Sequence, residues 1–388
     1  GTTGGYNGAP AERTNLYVWG ANNGGQLGLN AQGGWSEYLT AQSSPIQIPG
    51  TWSTFSTASK ISGGVKADGT LWMWGDNENG KLAINNVNDR SSPVQVGTDT
   101  DWSTAWLSNN TSYCVKTNGT LWVWGYNYNG KLGLNQPAPT RYSSPTQVPG
   151  TWSTDVRKLR SSNYHSIAIK SDNTLWGWGS NQYGQLGQNT AGEGGGTLRF
   201  SSPTQIPGTN WNSCIAGYFF SAGTKTDGTL WTWGDNSSGG LANNQPAPAR
   251  SSSPTQVPGS WSKVVGGYTS VFGIKTDGTL WNWGYTTALN VYGPASRFSS
   301  PVQVGTNTTW SDLTGSGSFM ATKTDGTLWA WGTNEAGQNA QNDRGGYDGL
   351  WGPLLSRSSP TQIPGGWVIS GVNMSGGPGG RQLGALKS

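Results

Sequence analysis

The chain has 388 residues, of which 62 are Gly and 20 Pro, so about one position in five punctuates regular structure and long helices are excluded. Only 11% of residues are charged and the net charge is +4, while 23 Trp, 14 Tyr and 7 Phe supply apolar surface, which excludes disorder. Gly, Ser, Thr or Asn interrupts every apolar run long before the roughly 20 residues of a membrane-spanning helix, so no membrane insertion is expected.

In chain order, residues 1–13 (GTTGGYNGAPAER) are polar and Gly-rich and read as a linker or processed end. Residues 14–388 read as one domain built from a tandem repeat. The string Leu-(Trp or Tyr)-x-Trp-Gly recurs seven times, ending its Trp at Trp19, Trp74, Trp124, Trp178, Trp233, Trp283 and Trp331, with a mean interval of 52 residues. Ser-Ser-Pro keeps the same beat at Pro45, Pro93, Pro145, Pro203, Pro254, Pro301 and Pro360, each followed within nine residues by a further Trp. Three tryptophans, Trp35, Trp106 and Trp351, fall outside the pattern.

Each unit reads as short strands: Pro-x-Gln-Val, a strand around Trp-Ser, a strand ending in Lys, and a tight turn into Leu-Trp-x-Trp. The turn residues Asp68-Gly69, Asn118-Gly119, Asp227-Gly228, Asp277-Gly278 and Asp325-Gly326 predict a two-residue type I′ hairpin. Two positions before each repeat Lys stands a small residue: Gly64, Cys114, Ala168, Gly223, Gly273, Ala321 or Ala385. That places the Lys-ending strand nearest a central axis, where strands crowd. The chain ends in Ala385-Leu386-Lys387 and its first unit opens on Thr14-Asn15-Leu16-Tyr17-Val18-Trp19, so the two ends together rebuild one hairpin. The expected fold is all-β: a seven-bladed β-propeller, its ring closed by a blade composed of both chain termini.

Units such as Ser166-Ile167-Ala168-Ile169-Lys170, followed by Leu175-Trp176-Gly177-Trp178-Gly179-Ser180-Asn181-Gln182-Tyr183-Gly184, resemble regulator of chromosome condensation repeats, and the match covers residues 14–388. The resemblance implies a seven-bladed propeller but no single function, since the fold serves exchange factors, secreted inhibitors and surface proteins. The family often carries His five residues before the repeat Lys. Here that position holds Ile61, Thr111, His165, Phe220, Ser270, Ser318 and Gln382, and no wedge insertion stands out, which points away from nucleotide exchange. The sixth unit, with Tyr285-Thr286-Thr287-Ala288-Leu289, lacks the Asn-x-x-Gly turn seen at Asn77 to Gly80 and Asn127 to Gly130.

Catalysis needs an acid, base or nucleophile constellation, and the single His165 sits at a repeat position shared with Ile and Phe, so no catalytic residues, no metal site and no cofactor are expected. Cys114 and Cys214 read as free buried thiols. Thirteen of the 23 basic residues recur once per unit, before the turn or before Ser-Ser-Pro, and read as pairing within blades; nucleic acid is not an expected partner. The candidate binding residues lie instead in the long loops of units one and seven: Trp35 and Tyr38, with Tyr347, Leu350, Trp351, Leu354 and Leu355. In a closed ring these loops are neighbours and form an aromatic patch suited to a protein or glycan surface.

Low charge and abundant Gly, Ser, Thr, Asn and Trp resemble phage and bacterial surface versions of the repeat. The expected function is a non-enzymatic extracellular binding or structural module: a phage virion, fibre or cell-surface assembly component that contacts protein, glycan or neighbouring subunits through one propeller face. The expected location is extracellular or on the virion surface. The alternatives are a guanine-nucleotide exchange factor or other GTPase-regulating propeller, and a secreted enzyme inhibitor or lectin.

Overall fold

A computed structural model describes residues 14–31, 40–136, 139–192, 198–245, 249–286, 296–316, 318–332, 334, 339–341, 357–365, 367, 372–374 and 382–387. Their strands are short, as the Gly and Pro content requires, and form six sheets. Five have four strands in chain order: Trp102–Leu107 to Arg141–Val148 (second blade), Leu159–Ser161 to Arg199–Gln205 (third), Trp211–Ala216 to Arg250–Val257 (fourth), Trp261–Gly266 to Ser296–Gln303 (fifth) and Trp310–Gly315 to Arg357–Ile363 (sixth).

The remaining sheet has seven strands and corrects the expected blade count: the propeller has six blades, not seven. Gln42–Ala58 is one unbroken strand, and its Trp52 faces Thr14 on one side and Lys66 on the other. In other units the corresponding segment breaks between the outer strand of one blade and the inner strand of the next. Here it stays in the ladder, so two sequence units share one blade. In the same sheet Gln382–Lys387 pairs antiparallel with Thr14–Gly20, Leu386 opposite Leu16, so the two ends of the described chain are joined by backbone hydrogen bonds.

The strand nearest the axis is also corrected. The first strands of successive blades lie against one another around the ring, so the Trp-Ser strand, not the Lys-ending strand, is innermost. The small residues have a different cause. A Cβ on Gly223 would meet the Trp211 ring at 2.8 Å, and one on Gly273 the Trp261 ring at 2.7 Å. Gly223 and Gly273 thus make room for the innermost tryptophan of their own blades, and a Cβ on Gly64 would likewise come within 3.1 Å of the Trp52 ring.

Those tryptophans build the core. Trp52, Trp152, Trp211 and Trp261 are buried and meet Trp74, Trp178, Trp233 and Trp283 edge to face at 5.3–5.7 Å. The second Trp of each Leu-Trp-x-Trp string then ties its blade to the preceding turn: the Nε1 of Trp74, Trp124, Trp178 and Trp233 donates to the carbonyls of Gln26, Lys81, Lys131 and Gln185 at 2.7–2.9 Å. The first Trp donates within its own hairpin, Trp72 to Thr70 Oγ1 at 2.8 Å and Trp176 to Thr174 Oγ1 at 2.8 Å.

The hairpin turn differs from type I′. Gly69 has φ +80 and Asp68 is not among the residues with positive φ. Gly69 N–H donates to Lys66 O and Lys66 N–H to Thr70 O, a three-residue loop ending in a left-handed Gly. Asp68 Oδ1 accepts from both the backbone N–H and the hydroxyl of Thr70, which lowers its pKa. The Lys before the turn lies over tryptophan: Nζ of Lys66, Lys170 and Lys275 sits 3.6 Å from the ring centroids of Trp72, Trp176 and Trp281. Lys116 instead bonds Asp99 and Asp101 at 2.8 and 2.9 Å, and its ammonium moves out to 5.4 Å from Trp122.

A candidate protein-binding face at one end of the axis

At one end of the axis, the turns between first and second strands converge around a depression of about 40 Å³. It draws on five blades: Trp106 and Ser108 from the second, Arg160 to Asn163 from the third, Gly217 and Tyr218 from the fourth, Gly267 and Tyr268 from the fifth, Gly315 and Ser316 from the sixth. Its volume is close to one water molecule's share of liquid, far below the several hundred cubic ångströms of a small-molecule site. The face can therefore contact a surface but does not enclose a substrate.

Aromatic residues flank the depression. Tyr218 stands 3.8 Å from Tyr268, 4.7 Å from Tyr164 and 4.2 Å from Phe219 between ring centroids, and Phe219 stands 4.3 Å from Tyr183. All five are half-buried. The hydroxyls of Tyr164 and Tyr218 are 2.8 Å apart. Burial and this bond raise the Tyr164 phenol to about 12, and burial with a bond to Tyr218 raises Tyr268 further, so both remain neutral donors at physiological pH. The ladder is stitched to the fold from beneath: Tyr218 N–H donates to Tyr268 O at 3.1 Å, and the Arg250 guanidinium lies 4.6 Å from the Tyr183 ring.

His165, just below, is structural. It is fully buried, with Nε2 2.7 Å from Ser221 Oγ and Nδ1 3.1 Å from Ser162 Oγ. Ser221 spends its proton on Gln185 O at 2.8 Å, so Nε2 carries the imidazole proton and Nδ1 accepts from Ser162. Burial, aided by the charge of Lys131, lowers the His165 pKa to about 3. Lys131 reaches under the same turns, donating to Ser162 O at 2.9 Å and Ser108 Oγ at 3.2 Å, and burial lowers its pKa to about 7. Cys114 and Cys214 are free and buried, and burial raises both thiols, Cys214 to about 12, leaving them unreactive.

A second recess, about 450 Å³, lies on the rim between the second and third blades, with Leu134, Tyr142, Lys170 and Trp176 in its lining. Its Lys170 is held over Trp176, and the lining contains no acid–base pair. Among the described residues no group of His, Cys, Asp and Glu is placed to hold a metal ion, and no helix is long and apolar enough to cross a membrane.

The seven loop residues singled out from sequence, Trp35, Tyr38, Tyr347, Leu350, Trp351, Leu354 and Leu355, lie outside the described residues, as do residues 1–13. The aromatic ladder is not among the candidate residues that repeat spacing and loop length point to. Its signal was present as an aromatic just ahead of the second strand in three consecutive units, at Tyr164, Tyr218-Phe219 and Tyr268.

A model of the RCC1-like domain matches residues 15–377. The RCC1 domain-containing protein RUG3, mitochondrial, of Arabidopsis thaliana is 26% identical over 247 residues, covering 57% of this chain and 54% of that protein. The chain thus spans about half the length of this curated relative. Among solved structures, human WBSCR16 superposes with a TM-score of 0.79 at 17% identity, over 97% of this chain and 99% of that one. Yeast RCC1 (Prp20), solved with Kap60, gives 0.76 at 18% identity, over 96% and 88%. These relatives are eukaryotic, and the curated one is mitochondrial. They overturn the expected phage, fibre or cell-surface role and the extracellular or virion location, and the expectation of an unspecified protein or glycan surface or neighbouring subunits, without nucleic acid, conflicts with Prp20p of Saccharomyces cerevisiae, whose described partners are Gsp1p and histones. With its repeat matched over nearly its whole length, the chain belongs to the RCC1-like domain family.

Proposed function

We propose that the chain is a GTPase-regulating propeller that acts by binding its protein partner with the axial face and performs no covalent chemistry of its own. The observation that carries this reading is the pairing of a depression too small for a substrate with a half-buried ladder of five aromatic rings across neighbouring blades. Rigid Tyr and Phe side chains at the centre of a patch are the usual anchors of a protein interface. The family relationship supports the partner class: Prp20p from Saccharomyces cerevisiae, similar in fold with a TM-score of 0.75, was characterised for its binding to Gsp1p and histones.

The rigid ring suits exchange, because a partner loop displaced on docking meets a surface that does not yield. The test is release of a fluorescent GDP analogue from a Ran-type small GTPase, with and without the purified chain. Accelerated release supports the reading. Unchanged release, with no complex detected across a panel of small GTPases, contradicts it.

A further inference from the structure

The repeat allows residues at one position to be compared around the ring. The innermost strands place Ser56, Trp106, Arg160, Ile215, Val265 and Thr314 in equivalent register, opposite Gly63, Tyr113, Ile167, Ala222, Phe272 and Met320. Arg160 is the one charged member, and Trp106 is one of the tryptophans that break the sequence pattern. The two are neighbours: the Arg160 guanidinium lies 4.2 Å from the Trp106 ring centroid, and both line the axial depression.

Arg160 is held in place without being neutralised. Its Nη1 donates to Val156 O at 2.6 Å and Leu159 O at 2.8 Å, while among the described residues no carboxylate lies within ion-pair distance. The nearby Asp155 carboxylate is taken by Arg157 at 2.6 Å. A part-buried guanidinium whose nearest carboxylate is bonded to another arginine is stabilised by an anion that pairs with it directly. The depression in front of it has room for one group of carboxylate size, and the neutral tyrosines beside it add no competing negative charge.

We propose that the axial depression receives a carboxylate side chain from an acidic segment of the protein partner, which pairs with Arg160 while the segment's flanks lie on the Tyr164–Tyr218–Tyr268 ladder. The proposal rests on the partner-binding reading above and names the chemistry of that partner. Trp106 and the two backbone carbonyls act as positioning groups that fix the guanidinium in the lining of the depression.

The test uses the full chain and a fluorescein-labelled hexaglutamate peptide, with hexaglutamine as the uncharged control, read by fluorescence anisotropy at low salt. The wild-type chain is expected to bind hexaglutamate at least about tenfold more tightly than hexaglutamine, and Arg160→Gln to remove that difference with an unchanged circular-dichroism melt. Arg160→Lys keeps the charge but loses the planar fork and is expected to bind at an intermediate level, which keeps the test informative if the Gln variant folds poorly. Equal binding by wild type and Arg160→Gln overturns the proposal. So does complete displacement by an equal concentration of inorganic phosphate, which would make the site one for free anions. Peptide binding that survives alongside unchanged GDP release would sink the GTPase reading and leave the carboxylate site standing.

Discussion

Two buried titratable residues under the axial face make stability depend on pH in the same sense but in different windows. His165 has a pKa of about 3 against 6.5 when exposed, so between those values the unfolded chain binds the extra proton and stability is lost as pH falls. Replacing it with Gln preserves a donor toward Ser221, and the variant should lose less stability than wild type between pH 6.5 and 4, measured by urea unfolding. Lys131 has a pKa of about 7 against 10.5, so stability likewise rises with pH through that higher window, by at most about 1.4 kcal/mol per pH unit. The equivalent positions in other units hold Gln26 and Gln185, whose carbonyls accept the same Trp bond. Lys131→Gln should therefore raise the melting temperature by a few degrees at pH 7 and show a smaller advantage at pH 9. An advantage that grows with pH would mean the ammonium is stabilising.

At the scale of the element, the repeated unit is held by a buried asparagine as much as by tryptophan. Asn77 Oδ1 accepts from Leu82 N–H at 2.8 Å and its Nδ2 donates to Asn86 O at 2.8 Å; Asn127 and Asn181 make the equivalent bonds to Leu132 and Leu186. Each turn then abuts the next blade. A Cβ on Gly80 would fall 2.8 Å from Ser143 Cα, and Asn85 N–H donates to Ser143 O at 3.1 Å, so the Ser-Ser-Pro string is the seat for the preceding unit's turn. Asn77→Ala leaves a buried N–H and a carbonyl unpaired and should cost about 2–4 kcal/mol in chemical unfolding, whereas Asn88→Ala at an exposed position should change stability by less than about 0.5 kcal/mol.

The same elements show what the sequence could and could not reveal. Strand order, turn positions and the terminal hairpin are periodic, and periodicity survives without coordinates. The small residues were visible too, but their cause was misassigned: the crowding at Gly223 and Gly273 comes from Trp211 and Trp261 of the same blade, a cross-strand contact that spacing alone does not distinguish from crowding at an axis. The axial face was hidden for the converse reason. Tyr164, Tyr218, Tyr268 and Arg160 are departures from the repeat, and a search for what recurs discards them. Trp106 stands outside the repeat in the sequence, but only the ring places it beside Arg160.

For the whole molecule, closure decides both stability and function. The seven-stranded blade joins the chain's two ends through Gln382–Lys387 and Thr14–Gly20, and buries Leu383, Ala385 and Leu386 against Leu16, Val18, Phe55 and Trp74. Removing residues 382–388 exposes a strand edge and part of that core together. The truncated chain should melt more than about 10 °C lower and aggregate on size-exclusion chromatography. An unchanged melt would mean that the ring holds without the terminal strand.

A closed ring also fixes the spacing of turns from neighbouring blades, which is what brings Tyr164, Tyr218 and Tyr268 into one ladder from segments about fifty residues apart. The central claim is that this face engages and regulates a small GTPase. The most direct measurement is GDP-analogue release from a Ran-type GTPase by the wild-type chain and by a Tyr218→Ala, Tyr268→Ala double variant, with melting temperatures recorded in parallel. The account predicts accelerated release by wild type and at least about a tenfold loss in the variant, with little change in melting. Equal acceleration by both would contradict it, because the partner would then be docking elsewhere on the ring.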